Sequence, residues 1–122
     1  MGRITLCSFG FKYGSPGSNI YFDVTFLPNP VRLPGKNLFD DLDEDMYNLI
    51  ADSERAKILI KKIADFALFI AEFDDVRIGV GCNSGRHRSV VIVNEVSKLL
   101  SKSNIDCQIV HREFENIDNI LN

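Results

Sequence analysis

The residues of this 122-residue chain whose types and spacing could do chemistry fall in one stretch. It reads Gly79-Val80-Gly81-Cys82-Asn83-Ser84-Gly85-Arg86-His87-Arg88-Ser89. Apolar runs flank it, Val76 to Val80 before and Val90 to Val93 after. That pattern predicts a short buried strand, a tight turn of small residues and the start of a helix. Glycines in the turn permit conformations and close approaches that a Cβ would block. Successive N–H groups can then point at one place, at the positive end of the following helix. Arg86, His87 and Arg88 add cationic or switchable donors at the same mouth. Such an arrangement suits a phosphate or another tetrahedral oxyanion. The alternative is an ordinary strand-to-helix turn with a solvated basic cluster.

A second chemistry fits the same residues. Cys82, five intervening residues, then Arg88 and Ser89, with Gly85 midway, is the spacing of the cysteine-dependent phosphatase loop. There, amides and an arginine ring the phosphate while a thiolate attacks phosphorus. A cysteine at a helix N-terminus beside cations has a favoured thiolate. An aspartate from another loop would protonate the leaving oxygen, and Asp40 and Asp41 are the loop candidates. Gly81, however, stands where those enzymes carry histidine.

The elements that must position this turn can be read from patterning. Ile4 to Phe9 reads as a buried strand, followed by a loop whose Gly10-Phe-Lys-Tyr-Gly14 core places Lys12 among aromatics. Ile20 to Leu27 is strand-like, with Asp23 an anomalous carboxylate that needs a partner if buried. Pro28-Asn29-Pro30 ends it and forms a rigid corner holding Asn29. A short helix begins at Asp43-Glu44-Asp45, and a longer one spans about Ser53 to Phe73 with Ser53 as N-cap. In the long helix Leu59, Ile63, Phe66, Ile70 and Phe73 form one stripe, widened by Ile58, Ile60, Leu68 and Phe69, which predicts burial on most sides. A helix from about His87 to Lys102 and a strand from Ile105 to Val110 follow, then an acidic end, Glu113 to Asn122, read as a short terminal helix. The expectation is a single small α/β domain over 1–122. Its mostly parallel sheet has about four strands flanked by helices, with ligands bound beyond the carboxyl ends of the strands. His111 and Arg112, directly after the last strand, are expected at that rim.

Composition bounds the function. Fourteen basic against seventeen acidic residues give a net charge of −3, which argues against broad nonspecific nucleic-acid binding. Three cysteines without framework spacing imply a reducing compartment. The most apolar run, Ile63 to Phe73, contains Asp65 and Glu72 and is too short to span a bilayer. A cytoplasmic protein without membrane, metal or cofactor is expected.

Four ordered motifs extend over nearly the whole chain: Ser8-Phe-Gly-Phe-Lys-Tyr-Gly14; Phe22-Asp-Val24 with Phe26-Leu-Pro-Asn-Pro30; Gly81-Cys82 with Gly85 and His87-Arg-Ser-Val90; and His111-Arg112 with Glu115. Together they resemble the C-terminal domain of the RNase adapter protein RapZ family. The resemblance implies an α/β unit that binds glucosamine-6-phosphate, takes part in small-RNA binding and self-associates, normally behind a nucleotide-binding domain. On it, Asn83, Ser84 and Gly85 are backbone or hydroxyl donors to phosphate, Arg88 is the charged clamp, and Arg86, His87 and Ser89 complete the turn. Lys12, Asn29, His111 and Arg112 would line the rim, and Cys82 would be a packed thiol.

The departures shape the expectation. No Gly-x4-Gly-Lys-Ser/Thr loop occurs, so nucleotide hydrolysis is not expected here, and a separate nucleotide-binding partner that supplies the missing half is one of the alternatives. Glu113-Phe-Glu-Asn-Ile-Asp-Asn replaces the family's basic tail, which argues against RNA. Thr25 stands where the family usually has arginine, Asn83-Ser84 replaces Thr-Gly, and Val31 replaces a histidine or aromatic of some members. The reading is therefore a phosphosugar-binding sensor or adapter that forms a possible homodimer. A cysteine phosphatase is the first alternative and an interaction subunit or RNA-binding adapter the second.

Overall fold

In the computed structural model, residues 1–114 are described. Strand β1 (Ile4–Gly10) is buried along its whole length, as a central parallel strand must be. On one side it pairs with β3 (Val76–Cys82), and on the other with β4 (Cys107–His111). The edge strand β2 (Ile20–Asp23) pairs with β3, giving the all-parallel order β2-β3-β1-β4. Helices α1 (Glu44–Ala51), α2 (Glu54–Ala71) and α3 (Arg88–Ser101) complete the layer structure. Ile4, Leu6, Ile78 and Val80 join Ile63, Ala67, Val93 and Val96 in one core cluster. A small α/β domain is the result, as the patterning predicts.

The link from β1 to β2 is unusual. Parallel strands ordinarily need a crossover of about a dozen residues or more, most often helical. Here residues 11–19 suffice, with one 3-10 turn at Phe11–Tyr13. This return segment lies against β3 where Gly79 and Gly81 leave the surface bare. A Cβ on Gly79 would come within 2.9 Å of the Tyr21 ring and 3.1 Å of Ser18 Oγ. One on Gly81 would come within 2.7 Å of both the Phe11 and Phe9 rings. Phe9, Phe11 and Tyr21 then stack edge to face, with centroids 4.9 and 6.1 Å apart. These two glycines therefore make room for aromatic rings. Asn19 anchors the far end, since its N–H donates to the Arg77 carbonyl and its Oδ1 accepts the Arg77 N–H.

Three expectations are corrected. Strand β2 ends at Asp23, short of Leu27, because the Asp23 carboxylate accepts the N–H and hydroxyl of Thr25 and turns the chain. Asp23 is exposed, so it needs no buried partner. Helix α2 is not buried on most sides. It faces the core with Ala56, Ile63, Ala64, Ala67 and Ala71, while Phe66 and Phe69 stay 45 and 59% exposed and Phe73, expected as its last residue, lies in the turn beyond its end at Ala71 and is 75% exposed. Small alanines let the helix sit close to α3 and β3, and that proximity leaves the bulky residues outside. At the C-terminus, residues 112–114 are helical, and the rest of the expected terminal helix, Glu115 included, lies outside the described residues. Among the described residues no helix is long and apolar enough to cross a membrane.

Candidate functional site

The turn between β3 and α3 sits at the carboxyl end of the sheet. Gly85 takes φ +73°, a left-handed conformation that favours glycine. A Cβ there would lie 2.5 Å from Gly10 N and 2.6 Å from Glu113 Cγ. On its β1 side, then, the turn is packed solid. The buried Glu113 carboxylate accepts the Gly10 N–H at 2.7 Å and pairs with Arg112 at 2.7 Å. Arg112 also donates to the Gly14 carbonyl at 2.7 Å and lies over the Phe9 ring. His87, the residue before α3, makes no side-chain capping hydrogen bond to the start of that helix among the described residues.

The open side of the turn faces the segment after β2. A cleft of about 660 Å³ is lined there by Thr25, Phe26, Asn29, Arg32, Leu49, Arg55, Asn83 and Arg88, with Leu27, Pro28 and Leu33 filling its wall. Its volume is that of a small-molecule site. Arg88 reaches it from the first residue of α3, only 8% exposed, with Nη1 donating to the Thr25 carbonyl at 2.7 Å. A longer contact, 3.5 Å, reaches the Leu27 carbonyl. Arg55, from the first turn of α2, donates to the Phe26 carbonyl at 3.2 Å. Three consecutive carbonyls of one segment thus orient two guanidinium groups. Arg32 closes the cleft from the 3-10 turn Pro30–Arg32, which Asn29 Oδ1 caps through Val31 N–H. Among the described residues, none of the three arginines makes an ion pair, and no carboxylate lines the cleft.

Of the residues singled out in the sequence, Asn29, Asn83 and Arg88 meet in this cleft. Ser84, Gly85 and Ser89 form the buried turn behind it. Arg86 and His87 turn to another loop: His87 is 4% exposed with Nε2 against the Asp40 carbonyl at 2.8 Å, and Arg86 donates to the Phe39 carbonyl at 3.4 Å. Lys12 is exposed, its ammonium over the Tyr13 ring and its N–H on the Asn83 carbonyl. His111 and Arg112 do not project from the rim as expected. With Nε2 donating to Asn94 Oδ1 at 3.0 Å, His111 Nδ1 accepts the Ser8 hydroxyl at 2.6 Å. Arg112 is spent on Glu113 and the Gly14 carbonyl.

The phosphatase constellation is not assembled in this conformation. Cys82 is 3% exposed, and its thiol donates to Ser89 Oγ at 3.2 Å. Arg88 points to the 25–27 carbonyls, whereas that chemistry needs it folded over a cysteine-centred ring. Asp40 uses its carboxylate on the Asn37 N–H, and Asp41 is exposed. Among the described residues no cluster of His, Cys, Asp and Glu is placed to hold a metal ion.

Sequence reasoning missed Arg32 and Arg55. Arg55 carried a signal, because a cation in the first turn of a helix opposes the helix dipole, which favours acids there. Arg32 carried a weaker one, following the rigid Pro-Asn-Pro corner by two residues.

The architecture is an all-parallel α/β domain with an arginine-lined cleft beyond the ends of β2 and β3. The RapZ C-terminal domain family matches residues 2–115, and the chain belongs to that family. It is similar to proteins named "nucleotide-binding protein" in several bacteria. The one from Clostridium beijerinckii is 38% identical over 117 residues, covering 90% of this chain and 40% of the relative. The one from Lachnoclostridium phytofermentans is 38% identical over 119 residues, covering 92 and 42%. The one from Lactobacillus delbrueckii is 38% identical over 118 residues, covering 91 and 40%. The chain thus spans about two-fifths of the length of these curated relatives.

Proposed function

We propose that this domain is a RapZ-like adapter or sensor unit that binds a phosphorylated small molecule, of the phosphosugar class, in the cleft between the 25–33 segment and the Asn83–Arg88 turn. The observation that carries this reading is three guanidinium groups around one cleft with no carboxylate lining it among the described residues. Like charges held together destabilise one another unless an anion joins them. Here the backbone carbonyls of residues 25–27 hold two of them in place, so little ordering remains for the ligand to impose. Charge-assisted contacts of about 1.5–3 kcal/mol each, less the cost of association, correspond to affinities of order micromolar to millimolar. We assign the nucleotide binding named in the relatives to a partner segment or chain, since this chain has no Gly-x4-Gly-Lys loop.

The test is ligand-induced stabilisation. Inorganic phosphate or a hexose monophosphate at millimolar concentration should raise the melting temperature, and Arg88→Ala should abolish the rise. Because that variant also loses its bond to the 25–27 carbonyls, Arg55→Gln provides a milder second probe. No shift with any phosphorylated compound would overturn the reading.

A further inference from the structure

The solvent face of α2 carries a pattern that the fold does not use. Ile58, Lys62, Asp65 and Phe69 follow one another at steps of four, three and four, and all four are exposed. Such spacing draws one stripe along a helix. Lys62, Asp65, Phe66 and Phe69 also enclose a hollow of about 320 Å³. Their positions, i, i+3, i+4 and i+7, are those of the hole that receives a side chain from a facing helix. Phe73, just past the helix end, extends the apolar surface, its ring centroid 5.6 Å from that of Phe69.

Charge selects what faces this stripe. The first half of α2 carries Arg55, Lys57, Lys61 and Lys62 against one acid, Glu54. The second half and the turn after it carry Asp65, Glu72, Asp74 and Asp75 and no base. A helix dipole favours the opposite order, acids first and bases last, so the stability of α2 alone does not account for it. An antiparallel copy of the same helix does, because each basic half then lies against an acidic one. We infer that α2 pairs with the α2 of a second copy of this chain, antiparallel about a two-fold axis level with Ile63 and Ala64. In that register Ile58 of each copy comes opposite Phe69 of the other, and Lys62 opposite Asp65. Lys62 makes no ion pair among the described residues. Its stem fits the hollow between Phe66 and Phe69 of the other copy, and its ammonium meets an Asp65 carboxylate that Lys61 holds by Oδ1 alone, at 2.6 Å. Parallel pairing would set Lys62 on Lys62 and Asp65 on Asp65, which repulsion opposes.

The pairing is weak. Helix α2, with 18 residues, is about 27 Å long. One such contact falls short of the roughly 1,200–2,000 Å² that stable complexes bury. The dimer should therefore form towards millimolar concentration and come apart at micromolar, where the protein unfolds as a monomer.

Sedimentation equilibrium from micromolar to millimolar concentration tests this. The parent should pass from monomer to dimer across that range. Lys62→Asp and Asp65→Lys, both at exposed positions, should each stay monomeric, because each sets like charges together at the axis. Cooperative urea unfolding of both variants checks that the fold is intact. An equimolar mixture of the two should recover the dimer, since the acids of one copy then face the bases of the other. A parent that is monomeric throughout overturns the inference. So does a dimer that survives both charge reversals, which puts the contact on another face, and so does a mixture that stays monomeric, which removes the antiparallel register.

Discussion

Replacing Gly85 by alanine tests the packing of the turn against the end of β1. Two separable terms act there. The left-handed conformation, φ +73°, costs a non-glycine residue about 1–2 kcal/mol. The added Cβ would also stand 2.5 Å from Gly10 N and 2.6 Å from Glu113 Cγ, so the turn and β1 must part. Parting them breaks the bond from the Gly10 N–H to the buried Glu113 carboxylate, worth about 1.5–3 kcal/mol. The sum is about 2.5–5 kcal/mol, a large fraction of the 5–15 kcal/mol typical of a domain. Two other glycines isolate the terms. Gly14 has φ +84° and ψ 161°, a backbone region open essentially to glycine alone, with open space around it, so Gly14→Ala should lose only a conformational term, about 1–3 kcal/mol, and no steric one. Gly17 has open space and no left-handed φ, so Gly17→Ala should be neutral or stabilising by up to about 1 kcal/mol. Urea unfolding of the three variants gives the differences directly. If Gly85→Ala costs no more than about 1–2 kcal/mol, the term of its left-handed backbone alone, the turn is not wedged against β1, and the geometry of the cleft loses its support.

Three further outcomes are expected. Ile63→Ala, at a position with no exposed surface, should cost about 2–5 kcal/mol, whereas Phe69→Ser on the outer face of α2 should stay within about 0.5 kcal/mol in the same assay; comparable losses would return the aromatic stripe to the core. The hydrogen bond from Lys36, with the Met46 N–H, holds the Asp43 carboxyl below its usual range, so its contribution to stability is full above the unfolded carboxylate range and disappears as pH falls through the lower folded value. The denaturation midpoints of the parent and Asp43→Asn should accordingly converge in acid, and a constant gap would contradict this. An aryl phosphate should not turn over, and Cys82→Ser should leave its rate at background; turnover that the variant loses would revive the cysteine chemistry.

Much of the architecture was legible because strong local signals agreed with the tertiary ones. Ser53 caps α2 and Asp43 caps α1 as their positions imply, and the all-buried β1 follows from its unbroken apolar run. Periodicity misled in α2. It weighs phenylalanine above alanine, but the face that approaches α3 is chosen by closeness, which alanine allows. The end of β2 was hidden for a different reason: the Asp23–Thr25 hydrogen bonds are local chemistry inside a run that otherwise reads as strand. At the site, the turn after β3 was visible as a motif, whereas the partners of its arginine were not. Arg55 and Arg88 are 33 positions apart in sequence and meet only through the carbonyls of a third segment. His111 closes β4 and Arg112 follows it, one residue later than the expected strand end at Val110, and which way each side chain turns depends on Ser8, Asn94 and Glu113, which adjacency in sequence does not encode.

The strand order has a consequence for the history of the molecule in each round of folding. Because β3 lies between β1 and β2, these first two strands cannot zip to each other when they emerge. Their partners are Ile78 for Ile20, Val76 for Ile4 and, for the outer neighbour, Cys107. Every ladder therefore closes a long loop, and the apolar β1 must wait, unpaired, until most of the chain has been made. Long-range parallel pairing of this kind is slow and leaves sticky strands exposed meanwhile.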